Sequence, residues 1–280
     1  MNLLHYGFMQ RALIAALLIG VTAPAVGVYL VQRRLALIGD GLGHVALAGV
    51  ALGVLTGTTP VYVALATAVV GAVAIELVRA RGHASGDIAL AILFYGGIAG
   101  GVVLISLAPG GTPANLNAYL FGAITTTTWS DLIVFAILSL SVLVVTIGLR
   151  LTLFAVSNDE EFAIAAGMPV LGLNMVLAIV TAVAVVVSMR VVGLLLISAL
   201  MIVPVATSQL VARSFSSTMG LAMMIGLVVS VSGVVVSFHA GTPSGGTIVL
   251  LAITLFAVVA TARTVIGRGR RHTPSAGSTP

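Results

Sequence analysis

The stretch Leu35–Gly53, LALIGDGLGHVALAGVALG, decides the fold class. It is long enough to cross a bilayer as a helix, which takes about 20 apolar residues for about 30 Å of hydrocarbon. Yet it places a carboxylate, Asp40, and an imidazole, His44, four residues apart. Outside this stretch the chain is equally oily. Of 280 residues, 60% are hydrophobic and only 7% charged, where a soluble domain is nearer 25% charged. Mean hydropathy is +1.24. The expected fold class is all-α, a polytopic integral membrane protein of about eight to nine transmembrane helices.

Apolar spans are read at about 10–31, 35–56, 60–79, 87–108, 131–151, 170–189, 190–211, 219–239 and 245–266. The run 170–211 is broken only by Arg190, Gly193 and Pro204, so it is two spans or a span with a re-entrant piece. Met1–Gln10 lacks the basic start of a cleaved signal peptide. The segment 110–131 is too polar to cross, and Leu116–Gly122 is expected as a short surface helix. Residues 1–267 are expected to form one transmembrane domain, and 268–280 read as a disordered basic tail, arginine-rich and then rich in Ser, Pro and Gly.

All twelve basic residues are arginine. With the loop 152–169 cytoplasmic, alternating spans put every arginine except Arg11 and Arg190 inside, as the positive-inside rule requires. This supports nine crossings with an external N-terminus. The +5 net charge follows from that bias and not from nucleic-acid binding. The absence of lysine excludes a P-loop ATPase, whose lysine reaches the β- and γ-phosphates. The absence of cysteine excludes disulfides, thiolate metal sites, thiol nucleophiles and an N-terminus lipidated on cysteine. No H-E-x-x-H or G-x-S-x-G motif offers zinc-protease or hydrolase chemistry. The chain is not expected to be an enzyme, and no permanently bound cofactor is expected.

At i, i+4 on a helix, Asp40 and His44 share a face, about 6 Å apart at Cβ. An Asp in mid-membrane costs about 2.5–3.5 kcal/mol on insertion scales, and such residues commonly mark an ion path. Hard oxygen beside imidazole nitrogen suits a first-row divalent metal; the plainer alternative is an Asp–His hydrogen bond joining two helices. Gly39, Gly41 and Gly43 suggest irregular or closely packed backbone, and Gly49-x-x-x-Gly53 a helix-packing face. Glu76 and Asp87 are further candidate ligands, or else an interfacial pair with Arg79. His239, at the outer end of a span, is a candidate outer ligand or a polar anchor. Asp159, Glu160 and Glu161 open a short helix that Gly167 and Pro169 close. Its apolar residues Phe162, Ala165 and Ala166 suit docking to a partner, or it is a solvated turn.

Four stretches then resemble the permease subunit of bacterial zinc/manganese ABC importers. They are QRRLALIGDGLGHVALAGVALG (Gln32–Gly53), NAYLFGAI (Asn117–Ile124), DEEFAIAAG (Asp159–Gly167), and VVGLLLISALMIVPVATS (Val191–Ser208) followed by PSGGTIVLLAI (Pro243–Ile253). The resemblance spans nearly the whole chain. It implies a bacterial inner-membrane pore of two copies, a separate cytoplasmic ABC ATPase and an extracytoplasmic metal-binding protein. It implies no nucleic-acid partner; lipid surrounds the spans. It places Asp40 and His44 on the metal-handling motif, with zinc, manganese or iron as cargo. Asp159, Glu160, Glu161, Phe162, Ala165 and Gly167 fall on the ATPase-coupling helix. One departure is Gly241, where relatives often carry an acid. The rival readings are a proton-coupled transporter using Asp40 and His44 as a relay, and a structural membrane subunit with no pathway.

Overall fold

The computed structural model describes residues 6–81, 86–107, 120, 122, 127–189 and 192–271, without the side chains of 86, 87, 195 and 266–271. Among the described residues the regular structure is helical. The helices are α1 (Gly7–Gln32), α2 (Ile38–Leu55), α3 (Pro60–Ala80), α4 (Gly86–Ser106), α5 (Trp129–Gly148), α6 (Arg150–Asn158), α7 (Glu160–Ala165), α8 (Val170–Met189), α9 (Ile197–Gln209), α10 (Phe215–Ala240) and α11 (Ser244–Arg271). Eight of them are long and apolar enough to cross a membrane.

Local chemistry sets the helix ends. Pro60 opens α3, where its missing N–H is no loss. Thr128 and Asp131 form a reciprocal capping box at the start of α5, and Ser214 and Ser217 do the same for α10. Along α5 the residues Ile133, Ile137, Leu140 and Val144 recur at helical spacing and are exposed. That stripe faces lipid, since hydrocarbon is as good a solvent for it as a protein core.

Helix α1 is the central post, with Ile19, Ala23 and Val26 fully buried. It runs antiparallel to α10. Phe8 meets Phe238 at one end, with ring centroids 6.1 Å apart, and Tyr29 meets Phe215 at the other, 5.4 Å apart. Between them the backbones touch: a Cβ on Gly20 would lie 2.8 Å from the Gly226 carbonyl oxygen. The buried Tyr29 hydroxyl donates to the Thr146 carbonyl, 2.7 Å away, tying α1 to α5.

These contacts set the topology. Gln32 and Arg33, at the end of α1, bond Asn158 and Asn174, so α6 and the start of α8 share that end. Gln209 and Arg213 line a cavity there with Gln32 and Asn158. At the opposite end Phe8, Gly122, Phe238 and Ser244 surround another cavity. The segment 192–209 therefore traverses the bundle, from Val192 beside Gly245 to Gln209. Its helix α9 has only 13 residues, about 20 Å at 1.5 Å per residue. The 3-10 turn Leu194–Leu196, entered at Gly193 with φ of 90°, extends the path. Such backbone is tolerated at depth because protein buries it: Ile197, Leu200 and Met201 are all buried.

Nine traverses result among the described residues, with the seventh shorter than the expected span 190–211; Arg190 lies outside the described residues. Of the two expectations for the glycine-rich stretch, irregular or closely packed backbone, the second is met. Helix α2 is regular through Gly39, Gly41 and Gly43, which serve packing: Gly39 faces Ser198, Gly41 faces Leu90 and Leu93, and Gly43 faces Leu194. The expected surface helix Leu116–Gly122 lies outside the described residues except for Leu120 and Gly122. Helix α11 continues to Arg271, past the expected start of the tail at 268; residues 272–280 lie outside the described residues.

Candidate metal path and coupling helix

Helix α2 opens at Ile38, after a turn in which Arg34 takes a left-handed φ of 59°. Asp40 therefore sits in the first turn. This is about 3 Å along the axis, with His44 about 9 Å along it, shallower than a helix starting at Arg34 would place them. An acid in the first turn also complements the helix dipole. Both residues turn toward α4. His44 is held edge-on by Phe94, with centroids 4.7 Å apart. A Cβ on Gly97 would lie 2.7 Å from the His44 carbonyl carbon and 3.0 Å from its Cβ. The close α2–α4 crossing thus fixes where the imidazole stands.

Among the described residues the two side chains lack ordinary partners. His44 Nδ1 is buried with no hydrogen bond. Among the described residues no hydrogen bond or ion pair engages the Asp40 carboxylate. The expected alternative, an Asp–His hydrogen bond between helices, is not formed. Asp40 borders a cavity of about 370 Å³ with Leu37, Leu90, Ala91, Phe94 and Tyr95. Leu37 is 62% and Tyr95 68% exposed, so this cavity opens on the outer face of the chain.

The other candidates lie elsewhere. Glu76 is buried and accepts from Arg79 Nη1 at 2.9 Å, the interfacial pair expected as its alternative. Among the described residues no three His, Asp or Glu side chains converge on a metal position. Asp87 is one whose side chain is outside the description. His239 is exposed at the opposite end of the bundle, its Nδ1 2.9 Å from the Val235 carbonyl oxygen. Gly241 has a structural reason for its identity: at φ of 63° it ends α10 in the left-handed conformation that glycine adopts at least cost.

The acidic segment forms α7. Asp159 caps the helix, its Oδ1 accepting from Phe162 N at 2.9 Å. At the other end Met168 N donates to Ala163 O and Gly167 N to Ile164 O, both 3.0 Å, a Schellman closure with Gly167 left-handed at φ of 74°. The buried apolar residue of α7, Ala163, packs against Val156 and Val170. Phe162 is 64% and Ile164 61% exposed, while Ala165, Ala166 and Glu161 are also exposed. Ile164 thus joins the outward apolar set that sequence placed on Phe162, Ala165 and Ala166.

Glu160 turns the other way. Its Oε2 accepts from Arg33 Nη2 at 3.2 Å and its Oε1 from Asn174 Nδ2 at 3.1 Å, while Arg33 Nη1 donates to Asn174 Oδ1 at 2.8 Å. Burial pushes the Arg33 guanidinium below its ordinary range, with Arg79 nearby adding to it, against the pull of Glu76 and Glu160. Sequence reasoning did not single out Arg33 or Asn174. The available sign was an asparagine within the apolar run VLGLNMVLAIV (Val170–Val180).

The comparisons with known proteins agree with this architecture. Residues 5–263 match the ABC 3 transport family. A "Probable metal transport system membrane protein" of Treponema pallidum is 35% identical over 96% of this chain and 100% of that protein. The "Manganese transport system membrane protein MntC" of Halalkalibacterium halodurans is 33% identical, covering 92% of this chain and 88% of its own. Among solved structures, a chain of "PsaBC from Streptococcus pneumoniae in complex with Fab" superposes with a TM-score of 0.83 at 30% identity, covering 92% of each chain. With nine traverses, no P-loop lysine and a family match over nearly its full length, the chain belongs to the ABC 3 transport family, as a multi-pass plasma-membrane permease subunit of a bacterial metal importer whose ATPase is a separate subunit.

Proposed function

We propose that two copies of this chain form the membrane pore of a manganese importer, in which Asp40 and His44 hold the ion in transit. The carrying observation is the buried, unpartnered Nδ1 of His44 beside an unpartnered carboxylate, at a cavity on the outer face of the chain. A carboxylate facing lipid is costly, and intramembrane charges turn toward a bundle interior or a wet path. A second copy on the α2–α4 face supplies that interior. It also doubles the ligands to two carboxylates and two imidazoles, which one chain alone does not assemble.

Such a mixed oxygen and nitrogen set suits manganese, and equally admits zinc or iron(II). Manganese is preferred because relatives at 32–33% identity bear it in their names. A transit site must bind weakly enough to release, and four exchangeable side-chain ligands without a closed cage meet that need. Helix α7 would receive the cytoplasmic ABC ATPase through Phe162 and Ile164, as an apolar helix face seats in a groove. An extracytoplasmic metal-binding protein would deliver the ion at the Phe8–Phe238 end. The proton-coupled alternative finds no support in the family.

The test is manganese uptake into vesicles holding the permease, its ATPase and its binding protein. Uptake that requires ATP and ignores an imposed pH gradient supports the proposal. Uptake that follows the pH gradient without ATP overturns it.

A further inference from the structure

Building on that reading, we infer that Glu160 is not part of the ATPase-docking surface but the latch that carries movement of α7 to Asp40, through Arg33 and the turn between α1 and α2. The side chains of α7 divide cleanly. Phe162 and Ile164 point outward, whereas both Glu160 oxygens are engaged by the body of the permease. The three-way bond closes on itself: Arg33 donates to Glu160 and Asn174, and Asn174 donates to Glu160. The Arg33 side chain is only 6% exposed and Asn174 is buried, so removing the carboxylate leaves a desolvated guanidinium short of a counter-ion.

Beyond Arg33 the path to the metal residue is short and stiff. Leu35 N donates to Leu30 O at 2.8 Å and Ile38 N to Leu35 O at 3.0 Å, with Arg34 held left-handed between them. Asp40 follows two residues after the first residue of α2. A shift of Arg33 along the α1 axis is therefore passed to the start of α2 with little slack. Beside the latch lies a cavity of about 600 Å³ lined by Glu76, Arg79, Glu160, Ile164 and Asn174 among others, which gives α7 room to move. Helix α7 is otherwise attached through Ala163, while its neighbour α6 is anchored by buried Leu153, by the Phe154–Phe215 ring contact and by the Gln32–Asn158 hydrogen bond of 2.9 Å.

The experiment uses the permease assembled with its ATPase and binding protein in vesicles, and reads manganese taken up per ATP hydrolysed. Glu160→Gln should keep the ATPase bound and hydrolysing while the ratio falls by about tenfold, within the span of coupling between distant sites. The exchanged pair Arg33→Glu with Glu160→Arg should restore most of the ratio, because Asn174 can flip its amide and offer each partner the group it needs. An unchanged ratio in Glu160→Gln overturns the inference. So does loss of the ATPase, which would place Glu160 on the docking surface. If Glu160→Gln fails to fold, the exchanged pair decides: assembly with coupled uptake supports the latch, and assembly without it contradicts it. Failure of the metal-site reading is separate, since it would appear as normal uptake in Asp40→Asn with the Glu160 ratio still lowered.

Discussion

Gly97 of α4 lies against the backbone of His44, so close that a Cβ there would stand 2.7 Å from the His44 carbonyl carbon. The imidazole is placed by a neighbouring helix backbone as much as by its own. Gly97→Ala should force the two helices apart and cost about 1–3 kcal/mol by overpacking. Thermal unfolding in detergent should show the loss, and manganese affinity should fall with it. An unaltered affinity would mean that this crossing does not position His44.

The outward face of α7 should govern ATPase binding. Phe162→Asp with Ile164→Asp adds two charges to exposed apolar positions and disturbs no buried contact. The permease should remain monodisperse while its ATPase no longer co-purifies. Retention of the ATPase at wild-type stoichiometry would remove α7 from the interface.

Orientation follows from where the ends of α1 sit. Glu161 and Thr242 are both exposed, at opposite ends of the bundle. Because the chain has no cysteine, Glu161→Cys and Thr242→Cys each give a single thiol. An impermeant reagent applied to intact cells should label Thr242→Cys alone. Labelling of Glu161→Cys from outside would invert the topology.

Most of this fold is legible in the sequence, for a physical reason. Lipid demands helices of a set length, so apolar runs mark spans, and the arginines mark their inner ends. The traverse that departs from its expected extent is α9, where burial inside protein relaxes the length requirement and lets Gly193 and a 3-10 turn replace helix. The glycines at 39, 41 and 43 suggest irregular or closely packed backbone, and close packing is what is found, each facing a side chain from another segment; which of the two holds depends on partners no local pattern names. Asp40 and His44 stand out because ionisable groups are rare in such runs. Glu76 stands out equally but pairs with Arg79. The inward turn of Glu160 depends on Arg33 and Asn174, which lie 127 and 14 positions away, beyond any motif.

Acidification should weaken manganese binding. An imidazole ligates only when neutral, so binding is full above its titration range and is lost as pH falls through it. Calorimetry across that range should show the fall in wild type. His44→Gln, lacking a titrating ligand, should show a lower affinity with a flatter profile. An identical profile in both would exclude His44 as a ligand.

The central claim is that Asp40 and His44 carry the ion, and its most direct measurement is ATP-driven manganese uptake by the Asp40→Asn, His44→Ala double variant in vesicles with the partner subunits. The variant should assemble with its ATPase and transport nothing above the protein-free background. Uptake at the wild-type rate would contradict the account.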